Sequence, residues 1–116
     1  MPNKNLMKVP SQKLSRENAF PVSLKIGPFT YEIRQSTNFA ARHSMWGQAR
    51  PAELVIEIEP DIDIGQKYQV LLHEAIHAAD EHFHLGLPDE DKENAVDRLA
   101  TILYGILKEN NLLKGA

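Results

Sequence analysis

The chain contains no cysteine, and this absence excludes both a disulfide framework and a thiolate metal site. Any metal ion would therefore have to be bound by histidine nitrogens and carboxylate oxygens. No apolar run approaches the roughly 20 residues that span a bilayer, and the N-terminus lacks an apolar signal core. We expect a single cytoplasmic domain, within 116 residues, that has no contact with membranes.

Charge is unevenly spread along the chain, although the net charge is only −3. The first 25 residues contain Glu17 as their only acid, whereas residues 53–97 are rich in Asp and Glu and contain only two lysines. The acidic part suits a cation-binding site and argues against a surface that binds nucleic acid. Residues 1–20 show little periodicity, so we expect a flexible basic arm followed by a single domain over 21–116.

Alternating apolar and polar residues predict strands in the first half of the chain. In the second half, apolar residues recur at helical spacing and predict two helices. Gly27 and Pro28 separate the first two strands and predict a hairpin. We expect Trp46, in the third strand, to pack on the sheet. The order of elements predicts an α+β domain with a small antiparallel sheet followed by two packed helices. The expected strands cover 22–26, 29–33, 44–50 and 53–59, and the expected helices cover 63–84 and 89–110.

Local signals support both predicted helices. Asp63, followed three residues later by Gln66, predicts an N-cap for the first helix, and Gly86 and Pro88 predict its end. The second helix carries an apolar stripe through which we expect it to pack on its neighbours. The stripe consists of Val96, Leu99, Ile102, Leu103, Ile106 and Leu107.

The first predicted helix contains the sequence His-Glu-Ala-Ile-His at residues 73–77. Its two histidines are four residues apart, so their side chains project from the same helix face and can bind one metal ion. Glu74 follows the first histidine directly and would lie beside the metal, close enough to act on a bound water. This pattern is the zincin signature, whose chemistry is metal-assisted hydrolysis; the alternative is a pair of histidines that bind no metal.

A catalytic zinc ion normally has three protein ligands and one open position, so a third ligand is needed. His84 lies too far along the helix from His77, and His82 points away from the pair, as expected of a surface residue near a helix end. The second helix offers Glu93 and Asp97, one turn apart. We favour Glu93, which completes a His, His, Glu set, with Asp97 either orienting a histidine or acting as the ligand itself. Alternatively, both carboxylates are solvated.

Two stretches resemble the minimal metallopeptidases of the ImmA/IrrE type, in particular the short forms encoded by phages and prophages: Leu-Leu-His-Glu-Ala-Ile-His-Ala-Ala-Asp (71–80) and Glu-Asn-Ala-Val-Asp-Arg-Leu-Ala (93–100). The resemblance covers about residues 22–110 and implies a zinc-dependent, peptidase-like fold. In that family the third ligand is a glutamate, and an Asn or Asp follows it four residues later. This Asn or Asp precedes a pair of residues, the first aromatic or leucine and the second alanine. The matching residues are Glu93, Asp97, Leu99 and Ala100. Larger members carry a DNA-binding or sensory domain without counterpart here, so their cleavage of repressors does not transfer.

Together these observations predict a zinc metallopeptidase of the glutamate-zincin class. His73, His77 and Glu93 would bind Zn²⁺. Glu74 would act as the general base that takes a proton from the metal-activated water. The substrate would be a protein or peptide, which could pair with one of the two strands that precede the motif helix.

A rival interpretation is a non-proteolytic phage accessory or protein-interaction module, whose zinc site stabilises a small fold. Glu74 favours the peptidase, because a structural zinc ion needs no base beside it. Tyr104 and His43 are weaker candidates for donating a hydrogen bond to the oxyanion, since both residues are more typical of structural or surface positions.

Overall fold

The computed structural model describes residues 20–113 of the chain. The first two strands form the predicted hairpin. Strand β1 (Ser23–Ile26) pairs antiparallel with β2 (Phe29–Gln35). Gly27 has a φ of 60°, a left-handed conformation that glycine adopts without steric cost in a tight turn. The hairpin prediction is confirmed, with β2 extending two residues further than expected.

Two further strands complete a four-stranded sheet with the order β1-β2-β4-β3. Strand β3 (Gly47–Arg50) pairs antiparallel with β4 (Val55–Ile58), and β4 pairs parallel with β2, with Ile33 opposite Ile56. The prediction of an α+β domain is confirmed, but the sheet is mixed rather than wholly antiparallel. The physical reason is the long connection from β2 to β4, which contains helix α1 (Phe39–His43) and β3 and so returns the chain in its original direction.

Helix α2 (Ile64–Phe83) has the bounds that the sequence predicts. The Asp63 carboxylate accepts a hydrogen bond from the Gly65 N–H at 2.7 Å and caps the N-terminus. His84 ends the helix in the left-handed conformation, two residues before the glycine that we expected to stop it. Since Asp63 and His84 flank a regular run of 20 residues, the motif histidines lie in the middle of a rigid element.

The hydrophobic core lies between the sheet and α2. Phe20, which we assigned to the N-terminal arm, is 1% exposed and packs on the Tyr68 ring with centroids 4.9 Å apart. The other residues of the expected arm, 1–19, lie outside the described residues. The buried core consists of Phe20, Tyr31, Ile33, Ile56, Ile58, Tyr68, Leu71 and Ala78.

His82 belongs to this packing, and our expectation of a surface residue is wrong. Its ring stacks on Phe29 with centroids 4.0 Å apart, and its Nε2 lies 2.6 Å from the buried Tyr31 hydroxyl. A buried phenol needs a hydrogen-bond partner, and the last turn of α2 provides one where it passes over the hairpin. His82 therefore holds α2 to the sheet rather than serving the metal-binding motif.

Helix α3 (Lys92–Glu109) follows a short 3-10 turn (Asp89–Asp91) and packs chiefly on α2. Val96 and Ala100 are its buried residues. Much of the predicted stripe stays exposed, because a helix packed on one neighbouring helix buries only a narrow face. The expectation of packing is wrong for Leu99, Ile102, Leu103 and Ile106, which are 39–58% exposed. Within residues 20–113, no helix has the length and apolar character needed to cross a membrane.

Candidate metal centre

The two motif histidines lie side by side on the face of α2 that meets α3. Their ring centroids are 5.0 Å apart, and both side chains are largely but not fully buried, with 19% of His73 and 24% of His77 exposed. The four-residue spacing predicts this arrangement directly. Partial burial leaves the imidazole edges open to a ligand while α2 fixes their orientation.

Glu93 spans the two imidazoles from the first turn of α3. Its Oε1 lies 3.1 Å from His73 Nε2, and its Oε2 lies 2.8 Å from His77 Nε2. Donor atoms of these three residues all fall within 4.8 Å of one another. The structure thus brings together the three residues that we expected as metal ligands, from two helices joined by a short loop.

The donor set fits a zinc ion in its chemistry, and its atoms lie close enough together to reach one ion. Two imidazole nitrogens and a carboxylate oxygen are ligands that zinc accepts, with a fourth position left for water. Ligand atoms about 2.0–2.2 Å from a tetrahedral zinc ion are about 3.3–3.6 Å from one another. The observed separations, 3.1 Å from His73 Nε2 to Glu93 Oε1 and 2.8 Å from His77 Nε2 to Glu93 Oε2, are about 0.2–0.8 Å shorter, so these side chains would move apart by that much to hold an ion.

Asp97 contacts the opposite nitrogen of His73. Its Oδ1 lies 3.4 Å from His73 Nδ1, while the Nε2 of the same ring faces Glu93. A carboxylate on the second ring nitrogen fixes the tautomer and orientation of a ligating histidine. Of the two roles that the sequence left open for Asp97, this geometry matches the orienting one.

Glu74 lies beside the histidines and is anchored to the sheet. Its Oε1 accepts a hydrogen bond from the Ala49 N–H of β3 at 3.0 Å. Burial raises the pKa of the Glu74 carboxyl, and the opposing influences of His73, His77 and the Ala49 N–H are smaller. A carboxylate with a raised pKa beside a candidate metal site is suited to accept and release a proton.

A glycine allows β3 to approach α2 this closely. A Cβ atom at Gly47 would lie 2.5 Å from Val70 Cγ1, 3.1 Å from the Glu57 carbonyl oxygen and 3.4 Å from Glu74 Cγ. A larger residue would force the Val70 side chain or the strand to shift. Gly47 thereby sets the distance between the edge strand and the candidate base.

An ion pair joins the two helices next to the candidate ligands. Lys92 Nζ lies 2.8 Å from Asp80 Oδ2, and Asp80 Oδ1 accepts the Leu85 N–H at 3.0 Å. The hydrogen bond from Lys92 lowers the pKa of Asp80, and the Leu85 N–H adds to this effect. Since Lys92 directly precedes Glu93, the pair fixes the start of α3 against α2 where the third donor is located.

These residues border one groove of about 920 Å³ between β3, α2 and α3. Trp46 borders the groove and is 53% exposed, so the expectation that it packs on the sheet is wrong. Neither candidate oxyanion donor borders the groove: the Tyr104 hydroxyl lies beside Gly65, and the His43 ring packs at a tilt against Phe39. The motif side chains share the groove with Met45, Trp46, Gly47, Ala49, Val70, Asp80, Lys92 and Asp97.

Two features of the site have no signal in the sequence, the Ala49 N–H and the pairing of Asp80 with Lys92. The Ala49 N–H is a backbone donor, and no residue pattern marks it. Asp80 follows His77 by three residues and shares its helix face, as helical spacing predicts. Its pairing with Lys92 depends on where α3 begins, which the sequence does not define closely enough.

Comparison with known proteins adds no assignment: no protein-family model, curated protein or solved structure matches the chain. The interpretation of the site therefore depends on its own geometry and on the resemblance of its motifs.

Proposed function

We propose that the protein is a zinc-dependent peptidase. The observation that carries the proposal is the position of Glu93, whose two oxygens contact the Nε2 atoms of both motif histidines. A carboxylate from a second helix completes a three-donor set, and Glu74 lies in the same groove. The cytoplasmic location expected from the sequence is part of the same proposal.

The roles of the protein groups follow from their positions. When bound, zinc would polarise a peptide carbonyl and lower the pKa of its coordinated water. Glu74 uses Oε1 to accept the Ala49 N–H, which leaves Oε2 free to take a proton from the attacking water. The same carboxyl then delivers that proton to the leaving amine. Asp97 holds the His73 ring through Nδ1 and keeps Nε2 directed at the centre.

The position of strand β3 favours a polypeptide as the substrate. It lies at the edge of the sheet and borders the groove that contains Glu74. An extended peptide can add to an exposed strand edge through backbone hydrogen bonds, which recognise any sequence. The scissile bond would then run past the histidines and Glu74, between β3 and α3.

One observation favours the rival, a zinc-stabilised interaction module. Helix α3 buries only Val96 and Ala100, so a metal ion joining α2 to α3 would add much to its docking. A purely structural site, however, has no use for a carboxylate that is fixed beside the ligands by β3. We therefore favour the peptidase.

The substitution Glu74→Gln separates the two functions. A peptidase should keep one equivalent of zinc but lose about 10²–10⁴-fold of its cleavage rate, because the general base is removed. Zinc would be measured by mass spectrometry of the native protein, and cleavage by the new termini formed in a proteome-derived peptide library. Glu90→Gln makes the same chemical change at an exposed position outside the groove and should alter neither quantity.

Two results would contradict the proposal. A wild-type chain that binds one zinc ion and cleaves nothing in the library would favour the interaction module. Loss of zinc in Glu74→Gln, with Glu90→Gln unaffected, would assign Glu74 to metal binding instead of proton transfer.

A further inference from the structure

Strand β3 presents a free backbone edge to the groove. It pairs with β4 on one side, and no second strand pairs with it within residues 20–113. The Glu59 N–H donates to the Trp46 carbonyl at 2.9 Å, so the antiparallel alternation directs the N–H and C=O of Gly47 and Ala49 away from β4. Glu74 accepts the Ala49 N–H, and within residues 20–113 the other outward groups of these two residues have no hydrogen-bond partner.

Side chains alternate between the two faces along this edge. A Cβ at Gly47 would point at Val70 of α2, so position 47 faces the helix. Trp46 lies one residue before the start of the strand and borders the groove beside it. Its side chain is 53% exposed, an unusual state for the only tryptophan of a small domain.

A second, smaller hollow lies next to this tryptophan. Trp46 borders both this hollow and the groove that contains Glu74. The hollow is mostly apolar, and α1 contributes two alanines to it. Its lining consists of Ala40, Ala41, Ser44, Met45 and Trp46.

We propose that Trp46 and this hollow form an apolar subsite, so that the substrate is an extended polypeptide segment with a large aliphatic or aromatic side chain. The inference rests on the proposed peptidase function. A segment paired with β3 would run past Trp46, which directly precedes the strand, and would bring one of its side chains against the indole, as cross-strand neighbours do. Trp46 is then a specificity-determining residue, and the backbone of β3 contributes binding without selectivity.

The test is a cleavage-site profile of the zinc-loaded full chain on a proteome-derived peptide library. One position near the cleaved bond should be enriched in large apolar residues. On synthetic peptides, Trp46→Ala should lower kcat/KM by about tenfold when that position is Leu or Phe. Peptides with Gly at that position should be cleaved as before, because they place no side chain in the subsite. Trp46→Phe keeps an aromatic surface and should retain the preference.

Ile102→Ala is the matched control, since it removes an equally exposed apolar side chain from α3, outside both hollows. It should leave the profile unchanged. Cleavage without an apolar preference, or a preference that survives in Trp46→Ala, would overturn the subsite while leaving the peptidase function intact. A zinc-bound chain that cleaves no peptide would overturn the peptidase function and the subsite together.

Discussion

Glu93 and Asp97 show how two similar carboxylates on one helix take different positions at the same imidazole pair. Both side chains are 76% exposed, so burial does not distinguish them. Glu93 contacts the Nε2 atoms of both histidines, whereas Asp97 contacts only the Nδ1 of His73. Because the two residues are one turn apart on α3, Glu93 reaches the candidate metal centre, whereas Asp97 reaches only the outer side of the His73 ring.

The two carboxylates should differ in their effect on metal affinity. Asp97→Asn should weaken zinc binding by about 10- to 100-fold, the usual cost of losing the partner that orients a ligating histidine. Glu93→Gln removes a donor and should weaken it more. Competition with a chromophoric chelator measures both affinities. A larger loss in Asp97→Asn would make Asp97 the third ligand instead.

At the scale of elements, the site depends on how closely β3 approaches α2. The Ala49 N–H reaches Glu74 from a strand whose residue 47 places no side chain against Val70. The sheet register, with Gly47 opposite Ile58, places that glycine at the helix. The position of the candidate base thus depends on strand pairing as well as on its own helix.

Gly47→Ala should therefore destabilise the fold by about 1–3 kcal/mol, the usual cost of overpacking. Val70→Ala removes the atom nearest to the new Cβ. The double variant should therefore be more stable than the sum of the two single effects predicts. Urea unfolding of the single and double variants measures this coupling.

Gly105→Ala is the control for this cycle. A Cβ at position 105 would meet no atom within 4 Å, and alanine in a helix is favoured by about 0.5–1 kcal/mol over glycine. This variant should be as stable as the wild type or more so. If Gly47→Ala and Gly105→Ala lost equal amounts of stability, the close approach of β3 to α2 would not explain the effect at Gly47.

At the scale of the whole molecule, α3 packs chiefly on α2 and buries few of its residues. It buries two residues and exposes four large apolar side chains. Apart from this packing, its N-terminal end is held by the contacts of Glu93 with the histidines and by the ion pair of Lys92 with Asp80. A bound metal ion would therefore connect α3 to the sheet-and-α2 core through its first turn.

Metal binding should consequently stabilise α3 more than the sheet. At a free zinc concentration about 100 times Kd, the folded state gains about 2.7 kcal/mol. Amide hydrogen exchange should slow most strongly over Lys92–Glu109, with a smaller change in β2 and β4. In Glu93→Gln the protection of α3 should be largely lost. A uniform slowing across all elements would show that α3 does not open separately.

The sequence by itself determined the features that depend on neighbouring residues. The bounds of α2, its Asp63 cap and the shared face of His73 and His77 follow from helical periodicity and capping, which act within a few residues. Glu93 was expected as a third donor partly from a motif resemblance, and the structure places its carboxylate against both imidazoles.

Tertiary structure decided the features that join distant parts of the chain. The parallel pairing of β2 with β4, the Ala49 hydrogen bond to Glu74 and the Tyr31 contact with His82 link residues far apart in sequence. No local pattern encodes such pairs, because their energies depend on how whole elements pack. For the same reason, four residues of the apolar stripe of α3 remain exposed, although their spacing is that of a buried helix face.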